Sequence, residues 1–182
     1  MKKHFYSYND VHKAAMDIVL KMYKDNWRPD YVVGITRGGL PLALRISQLL
    51  DCRMETLKVK LRDAKNGEEC ETNCWMAEDA FGYIEDNDYN TSSVFEKKNI
   101  LIVDDINDTG ATFNWIKQDW QKSCLPADPN WDTIWSQNVR FATMTENLSS
   151  EFGEVNYHWH ELNKAEEDVW LVYPWEVDNG IE

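Results

Sequence analysis

Apolar positions recur at helix spacing over residues 9–24, NDVHKAAMDIVLKMYK, where Val11, Ala15, Ile18 and Met22 share one face. Ser7 or Asn9 is the expected cap. The pattern then changes. Tyr31, Val32, Val33 and Ile35 make a short run that is apolar on both faces, as a buried parallel strand requires. After TRGG, residues 40–50 (LPLALRISQLL) return to helix spacing with Pro41 in the first turn. Residues 53–61, RMETLKVKL, alternate as a strand does. ILIV (100–103) is a second buried strand, TFNWIKQDWQK (112–122) a helix, and VRFAT (139–143) a further strand. The order α, β, α, β, long insert, β, α, β predicts an α/β domain built on a mostly parallel sheet. Two stretches break the pattern. Residues 62–98 are polar, with Gly67, Gly82 and the acidic run EDNDYN, and read as a long functional loop. Residues 146–182 are rich in aromatics, NYHWH and then VWLVYPWE. No internal repeat is present.

Length and charge narrow the function. The chain has 182 residues, which suits one domain, and a net charge of −13. That charge argues against nucleic acid as a partner, because binding a phosphate backbone needs a basic face. A small anion remains possible where backbone amides and a cation hold it. No apolar run is long enough to span a bilayer, and MKKHFYSYND lacks the apolar core of a signal peptide. A cytoplasmic protein is expected. Cys52, Cys70, Cys74 and Cys124 fit no zinc spacing and read as reduced thiols.

Two loops carry the candidate chemistry. In open parallel sheets ligands bind beyond the carboxyl ends of the strands, and both loops follow buried strands. The first is Thr36-Arg37-Gly38-Gly39, where two glycines permit close backbone approach and Arg37 adds charge. Taken alone, it reads more simply as a strand-to-helix turn with a solvent-facing arginine. The second is Asp104-Asp105-Ile106-Asn107-Asp108-Thr109-Gly110-Ala111-Thr112. Its acids can accept hydrogen bonds from sugar hydroxyls and hold Mg²⁺. Its Thr109–Thr112 run can cradle one phosphate at a helix start. An acidic turn with Asp108 as cap explains Asp108 and Thr109. It does not explain three acids that repel one another.

The stretch VDDINDTGAT resembles the signature of the type I phosphoribosyltransferases. VVGITRGGLPLAL resembles the pyrophosphate loop of their purine branch, the xanthine/hypoxanthine/guanine type. DVWLVYPWE resembles the base-binding hood of the same branch. The three motifs stand in the family order between about residues 30 and 176. The resemblance implies a single domain over 1–182: a mostly parallel twisted sheet flanked by helices, a flexible loop within 62–98, and a C-terminal hood over 146–182. It implies transfer of ribose 5-phosphate from phosphoribosyl pyrophosphate (PRPP) to a 6-oxopurine, with release of pyrophosphate and Mg²⁺ as cofactor. Asp104 and Asp105 would bind the ribose and, with Glu176, the metal. Thr109, Gly110, Ala111 and Thr112 would bind the 5′-phosphate. Arg37, Gly38 and Gly39 would bind pyrophosphate, with a non-proline cis peptide expected at Arg37–Gly38. Asp108 would be the catalytic acid/base, its pKa raised by its acidic neighbours. Trp170 would stack on the base and Leu171 would offer its backbone to the base edge.

The chain departs from the pattern in one place. Purine members that use 6-oxo bases carry a lysine after the strand corresponding to VRFAT, and here Asn147 stands nearest that place. An asparagine amide can donate to a 6-oxo group or accept from an amino group. Arg62 and Lys65 read as solvated charges, although they could close over pyrophosphate. Trp159, His158 and His160 read as core or surface. Adenine or a pyrimidine as the base is disfavoured by the VWLVYPWE tail. A second reading from another class is a regulator of the same fold that binds PRPP or nucleotides with little catalysis. Family members commonly assemble as dimers or tetramers, so a homo-oligomer is expected.

Overall fold

The structure is a computed structural model describing residues 1–61, 69–82, 84–85, 93–94 and 96–176. Arg62, Lys65 and most of the EDNDYN run lie outside the described residues, together with residues 177–182. Strand β1 (Lys2–Phe5) leads into helix α1 (Tyr8–Lys24). Ser7 Oγ accepts the Asp10 amide at 3.1 Å while the Asp10 carboxylate accepts the Ser7 amide at 2.8 Å, a reciprocal cap at the expected start. Strand β2 (Tyr31–Thr36) follows, then helix α2 (Leu40–Leu50) and strand β3 (Arg53–Lys60), all within a residue or two of their sequence-predicted bounds. Strand β4 (Glu69–Cys70), helix α3 (Cys74–Phe81) and the short strands β5 (Ile84–Glu85) and β6 (Ser93–Val94) occupy the insert. Strand β7 (Ile100–Asn107), helices α4 (Ala111–Ser123) and α5 (Trp131–Ile134), and strands β8 (Val139–Asn147), β9 (Tyr157–Leu162) and β10 (Val169–Val172) complete the chain.

The main sheet has the order β4-β3-β2-β7-β8-β9, parallel throughout except for the β3–β4 edge. Both of its faces are covered. Val32, Leu101 and Val103 pack with α1 and α2, while Val33, Ile35, Ile100 and Ile102 pack with α3, α4 and α5. This explains why the central strands read as unbroken apolar runs. Phe141 on β8 meets Phe113, Trp135 and Phe152 in the second layer.

Several expectations change. β7 and β8 do not stop at Val103 and Thr143 but run on to Asn107 and Asn147, with Asp104↔Thr143 and Asn107↔Glu146 in register. The ladder needs only backbone groups, so polar residues extend it where their side chains find partners. Part of the 62–98 insert is regular: Asn73 Oδ1 caps α3 through the Met76 amide at 2.9 Å, and Met76, Ala77, Ala80 and Phe81 are buried. Residues 146–176 divide between two sheets. β9 joins the main sheet, and only β10 leaves it, to pair in parallel with β1.

The carboxyl end of β8 is a buried polar layer of Thr143, Thr145, Glu146 and Asn147. Glu146 is 8% exposed, its Oε1 accepts from Asn107 Nδ2 at 2.9 Å, and its Oε2 has no partner among the described residues. Burial, helped by the charge of Glu161, pushes its carboxyl up to about 7. A folded pKa above the unfolded one means that the native state holds the proton longer. This group therefore lowers stability as pH rises from about 4.5 to about 7. Glu146→Gln should flatten that part of the decline, read as unfolding free energy against pH relative to wild type. Phe141→Ala should cost roughly 3–5 kcal/mol in urea unfolding, because it empties an aromatic-lined layer.

Candidate active site

The two loops meet at the carboxyl end of the sheet because β2 and β7 are direct neighbours, with Gly34 opposite Val103. A Cβ on Gly38 would lie 2.3 Å from Asp105 Oδ2, and one on Gly39 would lie 2.4 Å from the Val103 carbonyl. Glycine is needed here for space, since the end of β7 already fills the volume. The cis peptide of this loop is Thr36–Arg37, one bond earlier than expected. The α2 N-terminus follows at Gly39 without a side-chain cap.

Asp104 and Asp105 lie in β7, the loop's partner strand, shortly before its end at Asn107. Asp104 Oδ1 accepts the Asp105 amide at 2.9 Å, and Asp105 Oδ1 accepts the Ile106 amide at 2.8 Å. Burial raises the Asp104 carboxyl well above the usual carboxylate range, and the charge of Asp105 adds to it. Burial also raises Asp105, with Glu176 contributing. Gly110 begins α4 with φ 88°, a left-handed conformation that favours glycine, and without a side chain it leaves the cap to Thr109, whose Oγ1 accepts the Ala111 amide at 3.3 Å. The start of α4 thus offers amides to an anion. Asp104 to Phe113 line a cavity of about 270 Å³ together with Val59, Lys60 and Leu61. It adjoins an open cleft of about 800 Å³ lined by Arg37, Gly38, Lys58, Lys60, Asp105 and Glu176 among others.

Asp108 faces a cation. Its Oδ1 lies 3.0 Å from Lys164 Nζ. Asn147 builds this pair: its Nδ2 donates to the Asp108 carbonyl at 2.8 Å, and its Oδ1 accepts the Lys164 amide at 3.0 Å. Asn147 is 4% exposed and also accepts from Ser149. Its placement therefore does not match the base contact expected of it; it positions the acid and the lysine. Lys164 comes from the loop after β9.

The tail is placed less simply. Leu171 is buried in the core, while Trp170 points to the other face of β10, is 55% exposed and lines neither cavity. Glu176 lines the cleft, and its carboxylate accepts the Tyr173 amide at 2.9 Å. The Tyr173 hydroxyl lies 3.3 Å from the Asp105 carbonyl and 3.0 Å from Thr145 Oγ1. Among the described residues, no three His, Cys, Asp or Glu side chains converge on one ion, so Asp104, Asp105 and Glu176 do not form a ready three-carboxylate site. The adjoining Asp104 and Asp105 still suit Mg²⁺, which commonly takes one or two carboxylates and fills its other positions from water and ligand phosphates.

Sequence reasoning missed three cations. Lys58 and Lys60 were visible in the alternation of RMETLKVKL, which sets them opposite buried Leu57 and Val59. Lys164 gave no signal, because its meeting with Asp108 depends on where β9 lies in the sheet.

A family model described as the phosphoribosyl transferase domain matches residues 4–172. Hypoxanthine-guanine phosphoribosyltransferase of Schizosaccharomyces pombe is 22% identical over 197 residues, covering 96% of this chain and 89% of that one. Xanthine phosphoribosyltransferase 1 of Saccharomyces cerevisiae is 22% identical over 195 residues, covering 96% and 90%. The crystal structure of a purine phosphoribosyltransferase from Pyrococcus horikoshii matches with a TM-score of 0.65 at 23% identity, covering 100% of this chain and 99% of that one. At that identity the structural likeness speaks for the fold. The family match runs from β1 to β10 and takes in both strand-end loops, and the chain accordingly belongs to the type I phosphoribosyltransferase family.

Proposed function

We propose that the protein transfers ribose 5-phosphate from PRPP to a 6-oxopurine and releases pyrophosphate. The observation that carries this reading is the Asp108–Lys164 pair, 3.0 Å apart, whose Asp108 lines the cavity of about 270 Å³ together with the acid pair. A carboxylate accepts a ring N–H, and an ammonium donates to a ring carbonyl. Side by side they complement a base edge that carries N–H next to C=O, as a 6-oxopurine does. An amino group at that position would meet the ammonium donor to donor.

The bond between C1′ and the pyrophosphate oxygen breaks, its electron pair leaving with pyrophosphate, and a bond forms between C1′ and a purine nitrogen. Asp108 takes up the proton that the base gives away. Asp104 and Asp105 hold the ribose hydroxyls, and their charge favours the cation that develops on the ribose ring. The same two carboxylates would hold Mg²⁺, which supplies charge to the diphosphate when bound. The start of α4 receives the 5′-phosphate, with Thr109, Gly110, Ala111 and Thr112 around it.

The test is a product assay with PRPP, Mg²⁺ and a panel of guanine, hypoxanthine, xanthine, adenine, uracil and orotate. Nucleotide should form with a 6-oxopurine. Asp108→Asn should lower kcat/KM by about 10²–10⁴. Lys164→Met should raise KM for the 6-oxopurine by about tenfold or more and lower kcat, since it removes a charge-assisted hydrogen bond to the base and the cation paired with Asp108, while KM for PRPP should stay near wild type. PRPP binding without product from any base would replace this reading with that of a ligand-binding regulator.

A further inference from the structure

The proposed reaction assigns one cation, Arg37, to a leaving group that carries several negative charges. The cleft holds two more. Strand alternation puts Lys58 and Lys60 on one exposed face of β3, with Leu57 and Val59 turned into the core. Lys58 is in register with Thr36, the first residue of the glycine loop. Lys60 lies two residues further along β3, and it lines both the cleft and the smaller cavity beside Asp105.

Lys58 already has an anionic partner. Its Nζ lies 2.8 Å from Glu69 Oε2, and both side chains are about half exposed, at 53% and 49%. Glu69 sits on β4, the antiparallel edge strand, opposite Lys60, and also lines the cleft. The hydrogen bond to Lys58 holds the Glu69 carboxyl below its ordinary range, and the same bond raises Lys58. Both groups are therefore charged at neutral pH. An exposed pair of this kind is weak. A diphosphate offers more oxygens than one carboxylate and can engage Arg37 and both lysines together.

We propose that Lys58 and Lys60 form a cationic wall that receives the diphosphate end of the ligand, and that Glu69 competes with the ligand for Lys58. The inference rests on the cleft being a diphosphate site, as the proposed reaction requires. Binding exchanges the Lys58–Glu69 pair for Lys58–phosphate contacts, so the β3–β4 edge carries a built-in competitor.

The experiment is calorimetric titration of the protein with sodium pyrophosphate, with and without Mg²⁺, needing no base and no turnover. Lys58→Gln and Lys60→Gln should each weaken binding about tenfold, the loss of one charge-assisted contact. Glu69→Gln should tighten it about two- to fivefold, and that gain should vanish in the Lys58→Gln background. It should also shrink when ionic strength rises from about 0.05 M to about 0.5 M. Wild-type binding that neither lysine variant alters would overturn the wall and leave the diphosphate site standing. A Glu69→Gln gain that persists without Lys58 would overturn the competition. No pyrophosphate binding by wild type under either condition would overturn both this inference and the reading beneath it.

Discussion

The arginine turn and the end of β7 approach so closely that a Cβ at residue 38 would stand 2.3 Å from Asp105 Oδ2. The Arg37–Gly39 turn and the end of β7 share one small volume, and only a residue without a side chain allows both to be there. Gly39 repeats the constraint against the Val103 carbonyl. Neighbouring parallel strands make the approach possible, because β2 and β7 reach the same edge in register. The arginine loop and the acid pair thereby become one wall of one cleft. Substituting either glycine would separate the two chemistries before it disturbed the hydrophobic layers beneath them.

That closeness sets an electrostatic problem. Asp104 and Asp105 are adjacent in sequence and buried, and both carboxyls are pushed up by lost solvation. The amides of Asp105 and Ile106 offset part of this cost. Ligand hydroxyls or a cation would offset more, so the pair gains most when the cleft is filled. Asn147 answers a different problem. Asp108 and Lys164 come from the loops after β7 and β9, strands that flank β8 and do not pair with each other. One buried amide donates to the first loop and accepts from the second, which fixes both backbones at once. A residue that motif position would send to the base instead builds the pair proposed to read the base.

Legibility in the sequence follows the same division. α1, β2, α2 and the cores of β7 and β8 were readable because burial on one or both faces writes a period into the residues. The polar ends of β7 and β8 were not, since Asp104 to Asn107 and Met144 to Asn147 are held by ladder bonds and side-chain partners outside the period. β1 and β10 escaped notice for a related reason: each is four residues long and finds its partner across the whole chain. α3 hid in a polar insert behind an asparagine cap. Among the site residues, the acids and glycines stand in two contiguous motifs. Lys164 and Asn147 act through a meeting of loops that only the sheet order creates.

The net charge of −13 then takes on a local meaning. Seen from afar, the surface repels a polyanionic substrate, and the long-range field does not assist its encounter. Ionic strength near 0.1 M limits that field to about 10 Å, so the outcome is decided by groups at contact range. At that range Arg37, Lys58 and Lys60 line the cleft with Asp105, Glu69 and Glu176 interleaved. Each carboxylate lowers the cost of keeping a lysine or arginine in place while the cleft is empty, and each is a partner that a phosphate must displace. Selectivity in such a wall arises from geometry more than from net charge. A ligand must present enough oxygens to outcompete several carboxylates at once, which a diphosphate does and a single carboxylate does not.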